Sequence, residues 1–146
     1  MTGSLEGINV LDLTHALSGP FCSMLLAELG ANIIKVEPPT GDHFRPANNG
    51  ATFAVVNRNK RSICIDLKKP ESAKVMTTLI SNSDIMLENF TPGAAKRLGY
   101  DYVKAQQIKS DIIYASISGF GQSGPCLLYT SPSPRDRTRS RMPSSA

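Results

Sequence analysis

The sequence has no tryptophan, and its three cysteines (Cys22, Cys64 and Cys126) show no paired spacing. Cysteines placed in this way fit neither a disulfide framework nor a zinc site, so we expect no bound metal and a reducing, cytoplasmic location. No apolar run approaches the length that spans a bilayer. The opening residues, MTGSLEG, also lack the basic and apolar segments of a secretory signal. We therefore expect no membrane association.

Two nucleotide-binding motifs are missing as well. No G-x-G-x-x-G follows the first predicted strand, and no G-x-x-x-x-G-K-S occurs in the chain. Both motifs place glycine-rich backbone against phosphate groups. Their absence counts against an ordinary nicotinamide-dependent enzyme and against a P-loop nucleotidase.

Positive charge is concentrated near one end of the chain. The formal net charge is +4, and residues 126–146 carry four arginines against one aspartate, a net charge of +3. Subtracting the second value from the first leaves +1 for residues 1–125. The basic character of the whole chain is thus no argument for nucleic-acid binding.

The same residues, 126–146, differ from the rest in composition. They are rich in serine, proline and arginine and have no periodicity, which is typical of a disordered basic tail. An alternative, which we favour, is a translated sequencing adapter. CLLYTSPSPRD back-translates to a transposon-end adapter and SRMPSSA to a flow-cell adapter, with residues 137–139 as index sequence between them. We therefore expect a non-native tail that takes no part in the fold.

Residues 8–37 predict a strand, a turn, a helix and a second strand. The apolar run over residues 8–14 is typical of a strand that is buried on both faces. The helix is predicted to have one apolar face, formed by Phe21, Met24, Leu25 and Leu29. Gly30 is a suitable C-terminal cap. The turn over residues 15–20 then lies at the carboxyl edge of a parallel sheet, where open α/β sheets bind ligands.

The remainder of the chain alternates in the same way. A proline- and glycine-rich loop covers residues 38–51, and a short apolar segment covers 52–56. The pattern then predicts strands over 62–67, 84–87 and 111–117, and helices from Pro70 and over 94–98 and 102–108. Alternating strands and helices predict the α/β class, with a Rossmann-like parallel sheet and flanking helices.

Four features are candidates for chemistry, and each has a structural alternative. The basic run over residues 57–61 suits phosphate binding or a solvated turn. Glu88, Asn89 and Phe90 follow a strand, where the amide and ring suit a ligand or the end of a buried strand. The glycine-rich loop over residues 118–125 allows close backbone approach to an anion or thioester, although such loops are common. His15 suits a base or a packing role.

Taken in order, several segments resemble the class III CoA-transferases, the CaiB/BaiF family. They are LEGINVLDLTHALSGPF, LLAELGANIIKVEPPTGD, NRNKRSICIDLK, DIMLENFTPGAAKRLGY and YASISGFGQSGP, over residues 5 to about 125. The resemblance implies an enzyme that moves CoA between carboxylic acids through an aspartyl-CoA thioester. It also implies CoA and acyl-CoA as substrates, no tightly bound cofactor, and an interlocked homodimer for the full-length protein.

The resemblance also implies a set of CoA-binding residues. These are Ala16, Leu17 and Ser18 in the first turn, Ile65 and Lys68 near the adenine and phosphates, and Asn89, Phe90 and Arg97 as further contacts. Residues 119–124 correspond to a loop that covers the reacting thioester. Some members carry an arginine where this chain has Pro38, and we expect Arg45 to supply that charge.

The family nucleophile, an aspartate, is expected beyond the glycine-rich loop. Asp136 lies in the adapter-like tail, and Asp12, Asp66 and Asp101 belong to other motif blocks. We therefore expect no catalytic residue in the chain. Residues 1–125 then form the N-terminal part of the large domain, as an inactive fragment. The alternatives are a racemase of the α-methylacyl-CoA type, from the same family, and a non-catalytic α/β nucleotide-binding module.

Overall fold

A computed structural model describes residues 3–124, which form a sheet of five parallel strands. The strands are β1 (Asn9–Asp12), β2 (Asn32–Glu37), β3 (Lys60–Cys64), β4 (Ile85–Glu88) and β5 (Ile113–Ser116). Their spatial order is β3-β2-β1-β4-β5, which is the order of a Rossmann-like sheet. The predicted fold class is confirmed, while the predicted tail over residues 126–146 lies outside the described residues.

The helices follow the predicted alternation, and the last two have the predicted bounds. They are α1 (Ser18–Glu28), α2 (Ala51–Val56), α3 (Ser72–Ser81), α4 (Ala94–Leu98) and α5 (Tyr102–Ile108). The apolar segment over residues 52–56 is thus helical, preceded by a 3₁₀ turn at Ala47–Gly50. Strand β3 starts two residues earlier than predicted. Among the described residues, no helix has both the length and the apolar character of a membrane span.

The sheet is covered on both faces, as the continuous apolar run in β1 predicted. On one face, Leu11 and Leu13 pack in a buried cluster with Met76 and Ile80 of α3. On the other face, Val10 belongs to a second cluster that includes Ala27 of α1. The strand at the centre of the sheet is therefore in the core, and its carboxyl end is held in place from both sides.

Helix α1 buries a different face from the one that its apolar spacing predicted. Phe21 and Leu25 are both 47% exposed, and Leu29 is 49% exposed. The buried residues of the helix are Gly19, Pro20, Ser23, Met24 and Ala27. Mostly small side chains let the helix lie close to the sheet, and Ser23 donates a hydrogen bond to Asp12. The prediction was wrong for three of its four residues, because close packing and this polar anchor set the helix rotation.

The C-terminal end of α1 agrees with the prediction made from Gly30. Gly30 follows the helix with φ of +102°, in the left-handed region that favours glycine. The amide of Gly30 donates to the carbonyl of Ala27 at 3.0 Å. The predicted C-terminal cap is confirmed.

Candidate functional site

The site lies at the carboxyl edge of the sheet, where the strand order reverses between β1 and β4. Open α/β sheets bind ligands at such a point. The turn after β1 and the turn after β4 are joined there by Asn89. Its Oδ1 accepts from the amide of His15, and its Nδ2 donates to the carbonyl of His15, both at 2.8 Å. The two turns therefore form one unit.

A buried ion pair connects the turn after β1 to the loop after β2. The Lys35 ammonium lies 3.1 Å from Asp42, and both side chains are almost fully buried. Lys35 donates to the carbonyl of Thr14 at 2.6 Å, and the amide of Ala16 donates to Asp42 at 3.3 Å. Ala16 has φ of +65°, an uncommon value for a residue other than glycine. The ion pair helps to hold the turn in this conformation.

The start of α1 is packed tightly against the same turn. A Cβ atom on Gly19 would lie 2.3 Å from the Cβ of Thr14, so only glycine fits at this approach. The backbone amide of Thr14 donates to Asp12 at 2.9 Å. Burial alone would raise the pKa of Asp12. The ammonium groups of Lys35 and Lys60, with hydrogen bonds from Ser23 and Thr14, outweigh burial and lower this pKa.

Residues that follow β1, β2, β3 and β4 line a cleft of about 170 Å³. We call it the His15 cleft. Its lining includes Leu13, His15, Val36, Ile65, Lys68 and Phe90. Three predicted CoA-binding residues, Ile65, Lys68 and Phe90, therefore meet in one place. Most of the lining residues are apolar, and Phe90, Lys68 and Asp66 add an aromatic ring, a cation and a carboxylate.

A second hollow, of about 320 Å³, shares Leu67, Lys68 and Leu98 with the His15 cleft. We call it the Arg97 groove, and its lining also includes Lys69, Pro70, Arg97 and Tyr100. Three cationic side chains thus stand beside the apolar cleft. Ammonium and guanidinium groups bind phosphate well, and the guanidinium does so with two parallel hydrogen bonds. Together the two hollows suit an elongated ligand with a ring at one end and phosphates at the other.

Other predicted residues lie elsewhere. Ala16, Leu17 and Ser18 line neither hollow, and Leu17 is 52% exposed. Asn89 directs both of its polar atoms to the backbone of His15. The assignment of these four residues to CoA binding stays a prediction, as does that of the other predicted CoA-binding residues.

The basic residues singled out in the sequence have protein partners. Arg58 pairs with Glu28 at 2.8 Å, and Arg61 donates to Asn32 at 2.7 Å. Both partners lie near the amino end of β2 or just before it, away from the carboxyl edge. A structural role, the alternative to phosphate binding, therefore accounts for Arg58 and Arg61.

Arg45 is tied to Glu37. Its Nε and one terminal nitrogen donate to the two carboxylate oxygens at 2.6 and 2.7 Å. The guanidinium carbon also lies 4.0 Å from the ring centroid of Phe53. The arginine that we expected to replace a basic residue at position 38 thus anchors the loop after β2, and two of its donors are used there.

The glycine-rich loop lies on the far side of β4. Gln122 donates to Ser116 at 2.6 Å. A hollow of about 510 Å³ lies between this loop, α4 and the start of α5, and its lining includes Glu88, Lys96, Tyr102 and Tyr114. Among residues 3–124, no three histidine, cysteine or carboxylate side chains are grouped as a metal site would require.

Sequence reasoning missed the buried ion pairs of Lys35 with Asp42 and of Lys60 with Asp12. Lys60 was assigned to a basic run that either binds phosphate or forms a solvated turn. A signal was present, because Lys35 interrupts the apolar strand NIIKVE and has to find a partner if that strand is buried. The identity of the partner, Asp42, could not be deduced, since it lies in a loop without regular pattern.

Comparison with known proteins identifies the family to which the sequence is similar. The sequence matches CoA-transferase family III over residues 5–129. It is 47% identical over 131 residues to a formyl-CoA:oxalate CoA-transferase of Streptomyces avermitilis, with 86% of this chain and 32% of that protein covered. The enzyme of the same name from Rhodopseudomonas palustris strain HaA2 is 45% identical over 139 residues, with 88% of this chain and 32% of that protein covered.

A solved structure agrees with these sequence relationships. A CaiB/BaiF family protein from Brucella suis superposes with a TM-score of 0.84 at 35% identity, over 87% of this chain and 36% of that one. The chain spans about a third of the length of the curated relatives that it matches.

Proposed function

The chain belongs to CoA-transferase family III, and from this premise we propose that it supplies CoA-binding residues to an enzyme that moves CoA between carboxylic acids. The observation that supports the proposal is that the His15 cleft and the Arg97 groove are adjacent and share three lining residues. CoA contains an adenine ring and phosphate groups. The apolar walls of the His15 cleft suit the ring, and the cationic walls of the Arg97 groove suit the phosphates.

In this proposal the adenine lies in the His15 cleft, against Ile65 and Phe90. The phosphates lie in the Arg97 groove, where Lys68 and Arg97 neutralise them. Asn89 acts by joining the two turns. The backbone of residues 16–18 lies next to His15 and follows the pantetheine arm.

The full reaction needs a carboxylate that attacks the acyl carbon. The buried Asp12 and Asp42 are both engaged with lysines, so neither is a good candidate. We propose that the nucleophilic aspartate of an aspartyl-CoA thioester mechanism lies outside the described residues. We also propose that residues 1–125 form part of a larger domain, that residues 126–146 are a non-native tail, and that the chain alone is inactive.

We propose a transferase rather than a racemase, because the relatives at 45–47% identity are named as formyl-CoA:oxalate CoA-transferases. Small carboxylic acids are then the exchanged groups. A homodimer is proposed for the full-length protein on the basis of family membership.

A chimaera tests the proposal. Residues 5–124 of this chain replace the matching segment of the Streptomyces avermitilis transferase, and CoA transfer from formyl-CoA to oxalate is measured, together with CoA affinity by calorimetry. We expect a folded chimaera that binds CoA and retains transfer. A chimaera with native-like circular dichroism and no CoA binding would contradict the proposal.

A further inference from the structure

Among the described residues, Nδ1 of His15 is buried and has no hydrogen-bond partner. It lies 3.8 Å from Oδ2 of Asp42, a buried carboxylate oxygen that is ion-paired with Lys35. A buried polar atom without a partner needs an explanation.

Asp42 is held in place from several sides. One carboxylate oxygen accepts from the amides of Phe44 at 2.9 Å and Ala16 at 3.3 Å. The other oxygen, Oδ2, lies 3.1 Å from the ammonium of Lys35. Burial favours the neutral form, but the amide of Phe44 and the charge of Lys35 outweigh it and lower the pKa of Asp42. The carboxylate is therefore fixed and charged beside the imidazole.

His15 is also held in place by its neighbours. Asn89 binds its backbone on both sides, and the ring centroid lies 5.8 Å from that of Phe90. The side chain is 23% exposed. Since Nδ1 is buried, the exposed part comprises the other atoms of the side chain, and His15 lines the His15 cleft. Among the described contacts, Nε2 has no protein partner.

Burial and the surrounding charges together favour the neutral form of the His15 ring. Burial has the largest effect and lowers the pKa of His15, and Lys35 lowers it further. His43 acts in the same direction, while Asp42 and Asp12 act in the opposite one. A neutral imidazole carries one proton, which leaves one nitrogen as donor and the other as acceptor.

We propose that Asp42 keeps the single proton of His15 on Nδ1, so that Nε2 accepts a hydrogen bond from an N–H group of CoA bound in the His15 cleft. An approach of about 1 Å brings Nδ1 and Oδ2 to hydrogen-bond distance. This inference rests on the proposed function. CoA has N–H donors on the adenine amino group and on the pantetheine amides, and both present the same chemistry to Nε2.

The first experiment measures the tautomer directly. Nitrogen-15 NMR of the full 146-residue chain distinguishes the protonated from the unprotonated ring nitrogen, without and with CoA. We expect the proton of His15 on Nδ1, and a shift of the Nε2 resonance when CoA is added. Asp42→Asn is expected to reduce the population of this tautomer while circular dichroism stays unchanged. A proton on Nε2 in the unchanged chain would overturn the inference.

The second experiment measures affinity by calorimetry with CoA, 3′,5′-ADP and pantetheine. His15→Phe is expected to weaken CoA binding about fivefold, the value of one hydrogen bond. His43→Phe is the matched control, because the exposed His43 ring lies 6.1 Å away and the same substitution leaves Nε2 of His15 intact. Weaker binding of 3′,5′-ADP assigns the donor to adenine, and weaker binding of pantetheine assigns it to the amides.

The outcomes separate this inference from the proposed function. Equal effects of His15→Phe and His43→Phe on all three ligands would overturn the role of His15 and leave CoA binding standing. Absence of CoA binding by the folded chimaera would overturn the proposed function and, with it, the assignment of a CoA donor to Nε2.

Discussion

The ammonium group of Lys60 lies 3.1 Å from the carboxylate of Asp12, although their strands are not neighbours. Strand β2 separates β3 from β1, so the lysine side chain reaches across it. Lys60 also donates to the carbonyl of Pro20 at 2.8 Å. Lys60 therefore connects β3, the edge strand, to the end of β1 and the start of α1.

Removal of this cation is expected to destabilise the fold strongly. Lys60→Met leaves Asp12 buried without its partner, and loss of one member of a buried pair costs about 3–5 kcal/mol. Urea unfolding measures the free-energy change. Arg58→Met is the control, because the exposed pair of Arg58 with Glu28 is worth about 0–1 kcal/mol. If both variants unfold at the same urea concentration, the Lys60 contact contributes nothing.

Stability is expected to fall in acid. The pKa values of Asp12, Glu37 and Asp42 are all lowered in the folded state, from reference values of 3.8, 4.5 and 3.8. In each case burial opposes the shift, and nearby cations and hydrogen bonds outweigh it. The unfolded chain therefore takes up protons first as the pH falls, and the folded state loses its advantage.

The stability that these groups supply is fully present above about pH 5, and it is lost as the pH falls through the lowered pKa values. Urea midpoints between pH 7 and pH 3 measure the loss. Asp12→Asn, which cannot titrate, is expected to flatten the curve. A midpoint that stays constant down to pH 3 contradicts this account.

Asn89→Ala is expected to cost about 2 kcal/mol, since it removes two hydrogen bonds that are worth about 1 kcal/mol each. It also frees the turn at His15, so CoA affinity should fall together with stability. Asn82→Ala is a suitable control, because Asn82 is exposed and bonds only within its own helix end. Unfolding free energies and calorimetric affinities of the two variants provide the comparison.

Arg97→Ala should weaken CoA binding, because it removes one of three cations from the Arg97 groove. A charge-assisted hydrogen bond is worth about 1.5–3 kcal/mol, so the expected loss is about tenfold or more. Lys96→Ala, on the same helix but lining the hollow beyond β4, should leave the affinity unchanged. Equal affinity of the unchanged chain and Arg97→Ala would remove Arg97 from the site.

Two adjacent residues of α1 test the observed helix rotation. Met24 is 3% exposed and Leu25 is 47% exposed. We expect Met24→Ala to cost about 2–5 kcal/mol, as is usual for a truncated core side chain. Leu25→Ala should cost about 0.5 kcal/mol or less. Thermal or urea unfolding distinguishes the two, and a larger cost at Leu25 would show that the apolar stripe is buried after all.

The alternation of strands and helices could be predicted because each element carries its own pattern. The run over residues 8–14 marks a doubly buried strand, and Gly30 marks a helix end. The helices Ala94–Leu98 and Tyr102–Ile108 were placed at their observed bounds. Local spacing determines such features, so no knowledge of distant residues is needed.

The rotation of α1 shows where local spacing is insufficient. A helix buries the face that packs best against its neighbours, and here Ser23 and Gly19 fit the sheet where larger apolar residues do not. The predicted CoA-binding residues divide in the same way. Ile65, Lys68 and Phe90 meet in one cleft, whereas Asn89 supports the turn.

The α/β class, the order of the elements and the family follow from patterns that are readable along the chain. The pairing of charges in the interior depends on the three-dimensional fold. Lys60 meets Asp12 and Lys35 meets Asp42, and these partners are chosen by the crossing of strands and loops in space. A buried charge requires a partner, but its position in the chain does not say which partner the fold will bring to it.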